Sequence, residues 1–433
     1  MDSFLLILNS FKTVFSLLLY LWWVYLPIFL FFIAYFAIQN YTHLKYKLGL
    51  DWILLEMKVP KEVRKSPKAM EQVFAGLHGV YSIPLKKWKD KFIGGKFPAW
   101  YSFEIVGKGG ETHFYIRTTR PLKDVVEAQI YAQYPEAEIF EVPDYIHDLP
   151  LYLPDDQYDL WGTDLMLSKP DAYPIRTYPD FEERVSMAKE EVGVVARIDP
   201  LASLVELYST LRAGEQIWVQ ILGAPTGDSW VKKGQAELDR LMGKPAAQKK
   251  GDFLSEMVFS IDKAISGIAT GPALDKKDEK RPERPERPDL TPSPGKRDIM
   301  IAMEKSWDKL GYEAAIRFLY IGRKDNFHQA HAAGLTGAFR QFSSMNLNGF
   351  KANKYTLTFA KGLFKKSKLF KRKRLIYQSY KDRNLFGFGV ARYVLNTEEL
   401  ATIFHFPDVG VRSPLLPRVE AKKGEPPVGL PIS

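Results

Sequence analysis

The chain contains no cysteine. That absence excludes a disulfide scaffold, a thiolate zinc site, a cysteine nucleophile and an iron–sulfur cluster. It also leaves the redox compartment unmarked. A phosphate loop is missing too. Such a loop needs glycines whose backbone N–H groups cradle phosphates, then Lys and Ser or Thr. Every Gly-Lys pair fails this requirement: Gly95-Lys96 is followed by Phe97, Gly107-Lys108 by Gly109, Gly243-Lys244 by Pro245 and Gly295-Lys296 by Arg297. No Gly-x-Ser-x-Gly elbow occurs. Of the seven histidines only His328 and His331 lie close, three apart on a helical stretch, which alone does not make a metal site. Asp155-Asp156 and Glu182-Glu183 sit in loop-like segments and read as solvated charge. The sequence therefore predicts no catalytic residue, no metal ligand and no cofactor.

What is present begins with size and charge. A chain of 433 residues that is 46% hydrophobic can build a sizeable core in two or three domains. Lys and Arg number 61 against 51 Asp and Glu, a net charge of +10, which suits an anionic partner without choosing between membrane and nucleic acid.

Between Lys12 and Lys45 there is no Lys, Arg, Asp or Glu. Residues 13–39 are almost wholly apolar, long enough to cross a bilayer with tilt. Large aromatics occupy the places where a cleaved signal would need small residues. No polar face exists along the run, so a buried core helix is a poor alternative, and Pro27 predicts a kink. Only Lys12 precedes the span, whereas Lys45, Lys47, Lys58, Lys61, Arg64, Lys65 and Lys68 follow it. The positive-inside rule then predicts a single-pass membrane protein with its large C-terminal part in the cytoplasm.

The remainder reads as α+β. A strand over 52–59, a helix over 67–76, a hairpin around Gly107-Lys108-Gly109-Gly110, a helix over 122–133 and a strand over 138–142 follow in order. That order is the split βαβ of a ferredoxin-like sandwich. A similar order recurs: strand 159–167, a helix from Asp199 to Leu211, strand 215–222 with one face to bury, strand 311–321 and helix 325–342. The predicted organisation is a membrane anchor at 1–48, a first ferredoxin-like domain at 49–145 and a second at 155–395. The second carries an insertion over about 224–310, with helices near 234–241 and 253–268. A charged, Pro-rich tract at 272–297 within it reads as a flexible linker. Residues 396–433 form a short helix capped by Asn396 and an extended Pro-rich tail.

From Lys361 to Arg374 there are eight Lys or Arg and no acid, with Leu363, Phe364, Leu369 and Phe370 interleaved. Lys365, Lys366, Lys368, Lys371, Arg372, Lys373 and Arg374 are the expected contacts to nucleic-acid phosphates or anionic lipid, and a solvated face is the third reading.

Three passages carry a family resemblance: AQIYAQYPEAEI (128–139), DPLASLVELYSTLRAGEQIWVQILGAP (199–225) and LNTEELATIFHFPDVGVRSPLLPRVEAKKGEPPVGLP (395–431). Together they resemble the membrane-proximal region that precedes the motor in HerA-type ATPases of conjugative type IV secretion-like systems. In that family an EELATIFHFP-like helix leads into the ATPase domain. The resemblance implies a motor-facing interface at Glu398, Glu399, Leu400, Phe404, His405 and Pro407. Without a phosphate loop, it implies a non-catalytic, single-span component of the inner (cytoplasmic) membrane that anchors or assembles a separately encoded motor ATPase, with DNA and further copies of the chain as additional partners. Two rival readings stand beside it: a membrane-tethered nucleic-acid-binding protein using 361–374, and a purely structural membrane scaffold.

Overall fold

A computed structural model describes residues 20, 22–60, 65–82, 95–181, 198–242, 293–386, 390–408 and 418–419. Helix α1 (Trp22–Leu48) is followed by β1 (Trp52–Pro60), α2 (Lys68–Leu77), β2 (Tyr101–Lys108), β3 (Glu111–Thr119), α3 (Lys123–Gln133) and β4 (Glu138–Val142). Next come β5 (Tyr158–Leu167), α4 (Ala202–Ser209), β6 (Gln216–Thr226), α5 (Ser229–Leu241), α6 (Pro294–Trp307), β7 (Gly311–Arg323), α7 (Gln329–Arg340) and β8 (Phe350–Ala352). The chain closes with α8 (Lys365–Asp382), β9 (Tyr393–Asn396), α9 (Thr397–Ile403) and the short β10 (Arg418–Val419).

The fold is mixed α+β around one large sheet. Its order is β4-β1-β3-β2-β6-β7-β5-β8, every neighbour antiparallel. Off this path, β9 adds to β7 beyond the reach of β5, and β10 pairs in parallel with the last residues of β1. The first half, β4-β1-β3-β2, is mirrored by the second, β8-β5-β7-β6, and the halves meet where β2 and β6 pair from Tyr101–Gly223 to Lys108–Gln216. The expected bodies at 49–145 and 155–395 thus share one continuous sheet and one core.

Alternation assigns side chains to the two faces. On the first face Phe103, Ile105, Phe114, Val219, Ile221, Tyr312 and Phe318 pack under α2, α3, α4, α7 and α9. The sequence suggested that 215–222 buries one face. In the structure β6 is buried on both, because α8 and the 145–153 segment cover the second face with Tyr145, Leu153, Ile376, Tyr377 and Tyr380 against Trp218, Leu160 and Leu319. A strand covered on both sides needs no polar alternation.

The hairpin turns on Gly109 (φ 57°) and Gly110 (φ 97°), a pair of left-handed residues that matches strand twist. Gly107 has a different reason: a Cβ there would lie 2.5 Å from the Tyr208 ring. The tract expected to be linker through 297 ends earlier, since Pro294 opens α6 with Ser293 as its N-cap. The expected helix at 253–268, Glu182-Glu183 and most of the Pro-rich tail lie outside the described residues.

Candidate functional site

Helix α1 is the one described helix long and apolar enough to cross a membrane, with a mean hydropathy of 1.7 in its best window and none of that window buried. Among the described residues its last turns carry contacts to the body. The His43 ring hydrogen-bonds the Gly95 carbonyl at 2.8 Å, and Tyr46 packs edge-on to Phe97. A Cβ on Gly95 would sit 2.4 Å from the Thr42 carbonyl carbon, so glycine permits this close approach. Lys47 donates to the Asp382 carbonyl at 2.5 Å, where α8 ends. Behind this junction lies an aromatic cluster of Trp52, Phe97, Trp100 and Phe386 with Leu222, Ala315 and Leu385, on the second face of the sheet.

Helix α8 forms because eight of the residues 365–382 are Lys or Arg, good helix formers, with no Gly or Pro inside. No helix was assigned to this stretch from sequence, since its charge hides the buried stripe Ile376, Tyr377 and Tyr380. The helix stops at Arg383, which takes a left-handed conformation (φ 45°), unusual for a residue with a Cβ. That turn aims its guanidinium into the seam between the halves. Its Nε donates to Glu104 Oε1 at 2.6 Å and its Nη2 to Oε2 at 2.9 Å, while Nη1 and Nη2 also reach Asp144.

Around this pair a polar ladder crosses four paired strands. Glu104 faces Gln220 across β2–β6, Gln220 faces Arg317 across β6–β7, and Arg317 faces Asp164 across β7–β5. Gln220 donates to Glu104 and to the Tyr380 carbonyl, and Arg317 to Asp164, Gln220 and the Ser379 carbonyl. Ser102 and Tyr145 also donate to Glu104. Burial works to raise the Glu104 pKa, but the Arg383 charge and these hydrogen bonds outweigh it and hold the carboxyl below its ordinary range. Asp144 is held low against burial by the same guanidinium. Burial and the nearby Arg383 charge push Arg117 down to about 10, and its Nη1 has no hydrogen-bond partner among the described residues. The sequence does not reveal this ladder because its cross-strand partners are 97 to 153 positions apart along the chain. Charged residues on otherwise apolar strands were the available signal.

The seven basic residues divide. Lys365, Lys366, Lys368, Lys371 and Arg374 are exposed. Arg372 and Lys373 are half-buried: Arg372 donates to the Leu357 and Phe359 carbonyls, and Lys373 pairs with Asp159 at 2.5 Å. These two hold α8 to the fold, whereas the other five expected contacts face outward. The exposed five share their surface with Leu363, Phe364, Phe370 and Leu375, and Arg374 stacks over Tyr152 at 4.7 Å.

The six residues expected at a motor-facing interface, Glu398, Glu399, Leu400, Phe404, His405 and Pro407, are all buried in the chain's own core. Phe404 packs its ring against Phe74, Phe103 and Phe114, and Leu400 belongs to the same core. Their polar members tie α9 in place. The expected Asn396 cap is a complete capping box with Glu399, whose other oxygen accepts the Ile175 N–H at 2.8 Å. Burial pushes Glu399 up to about 8, against the opposing pull of the Asn396 and Ile175 N–H groups. Glu398 and Glu71 share Lys309, and Thr177 donates to Glu398. His405 bridges the Ala401 carbonyl and Asp199 at 3.0 Å, and Asp199 is held low by His405 and two backbone N–H groups despite its burial.

The rings of His328 and His331 lie 6.5 Å apart, and His331 turns toward Glu215. Among the described residues no group of three or more His, Asp or Glu is arranged to hold a metal ion.

No curated protein matches the chain. A family model described as Domain of unknown function (DUF8128) matches residues 38–414, from the last turns of α1 to beyond α9, and the chain belongs to that family.

Proposed function

We propose that this protein is a single-span, non-catalytic component of the inner membrane that anchors and assembles a separately encoded motor ATPase of a conjugation-like transfer machine. The observation that carries it is the junction of α1 with the body. An apolar helix with no buried window joins the sheet through three anchors: His43 on Gly95, Tyr46 on Phe97 and Lys47 on the end of α8. Such a joint transmits position from a bilayer to a rigid body, which a platform for a motor requires. The basic flank after the span supports a cytoplasmic body. The two strand orders, each 4-1-3-2 with helices on one face, support reading the halves as ferredoxin-like units fused edge to edge. With 398–407 buried, the motor would meet another surface of this body. The test is affinity purification of the full chain from native membranes with identification of its partners. A P-loop ATPase in stoichiometric amount supports the proposal, and its consistent absence counts against it.

A further inference from the structure

We infer that the exposed face of α8 is a docking surface for an anionic bilayer, so that the body lies against the membrane it is tethered to. The inference rests on the proposed reading of α1 as a membrane span. Three observations meet here. First, the surface is both basic and greasy. Between Lys361 and Lys381 there are nine Lys or Arg and no acid. Among them Leu363 is 79% exposed, Phe364 76% and Leu375 66%, with Leu151 and Tyr152 exposed on the neighbouring segment. Large apolar groups left in water at this density mark an interaction site. Second, the greasy groups are partly aliphatic. Bases stack on aromatic rings, so leucines at 151, 363 and 375 add little to nucleic-acid binding, whereas acyl chains accept Leu and Phe alike. Third, the C-terminal end of the helix that carries this surface meets the last turn of α1. Helix α8 and the last turns of α1 lie on the same face of the sheet, and Lys47 joins one to the other at Asp382. From that joint α8 extends about 27 Å at 1.5 Å per residue. A basic helix face with exposed Leu and Phe, joined at its C-terminal end to a membrane anchor, is a lipid-binding arrangement, its lysines held by headgroups and its exposed apolar side chains by the acyl boundary.

The absence of cysteine makes the test clean. In the full chain, Leu363→Cys carries the only thiol, labelled with an environment-sensitive fluorophore. The protein is reconstituted in vesicles of phosphatidylcholine alone or with phosphatidylglycerol, some bearing brominated acyl chains. The label should be quenched in the anionic vesicles and not in the neutral ones. Adding Lys365→Gln, Lys366→Gln, Lys368→Gln and Lys371→Gln should lower the docked-to-free ratio at least about tenfold, because each basic group near an anionic surface contributes. A label that stays in water in both lipids overturns the inference, as does undiminished docking of the four-Gln variant. So does a label that responds to a single-stranded oligonucleotide and not to anionic lipid. Carbonate extraction separates the two levels. A chain that resists extraction yet does not dock refutes this inference alone, while an extracted chain removes the membrane reading and the inference with it.

Discussion

Replacing Arg383 with Met tests how the two halves are locked. The Arg383 side chain is 1% exposed and Glu104 is fully buried. The substitution keeps most of the aliphatic stem and leaves the backbone conformation equally unfavourable, so what it removes is the charge and its donors. Glu104 would then be a buried carboxylate held only by Ser102, Tyr145 and Gln220. Stripping one partner from a buried ion pair costs about 3–5 kcal/mol. Asp144 is partly exposed and regains water, so nearly all of that cost falls on Glu104. Glu104→Gln in the same chain removes the stranded charge, and the double variant should cost less than the sum of the two singles by about 2 kcal/mol. Urea unfolding of the full chain in nanodiscs, followed by tryptophan emission, gives these differences. The pH dependence has a fixed sign. Glu104 and Asp144 are held below their ordinary values, so their stabilisation is present above the usual carboxylate range and is lost as pH falls through the lowered folded values. Arg383→Met should flatten that acid limb. A loss under about 1 kcal/mol, or additive single losses, would refute a locking role for the pair.

Two further outcomes follow from the same packing. Glu399 is raised to about 8, so the native state binds a proton that the unfolded chain has released; stability should fall as pH rises from about 4.5 to 8, and Glu399→Gln should remove that slope in unfolding curves taken across the range. Gly107→Ala puts a methyl group 2.5 Å from the Tyr208 ring and should cost about 1–3 kcal/mol by the same assay, whereas Gly109→Ala meets no neighbour and should cost only its left-handed strain.

The elements that were legible in the sequence are those whose signal is local. The hairpin at 107–110, the alternating strands and the Asn396 cap depend on residues within ten positions of each other, and the structure places all of them. Helix α8 was hidden because eight of its eighteen residues are Lys or Arg and only Ile376, Tyr377 and Tyr380 mark its buried stripe. The fusion of the halves was hidden for another reason. Pairing of β2 with β6 joins residues more than 100 positions apart, and no periodicity reports which edge an exposed edge will meet. Glu398, Glu399 and His405 are expected at a motor-facing interface only through the resemblance, and the structure buries all three. Their partners Lys309, Ile175 and Asp199 come from distant segments, and only the fold shows that they are spent on the chain itself.

Liposome flotation tests directly the proposal that this chain brings a motor to a membrane. The full chain is reconstituted in liposomes and mixed with a P-loop ATPase recovered with it by affinity purification from native membranes. The ATPase should float with the liposomes only when the chain is present. An ATPase that stays at the bottom of the gradient beside chain-bearing liposomes, or floats equally with bare ones, would contradict it.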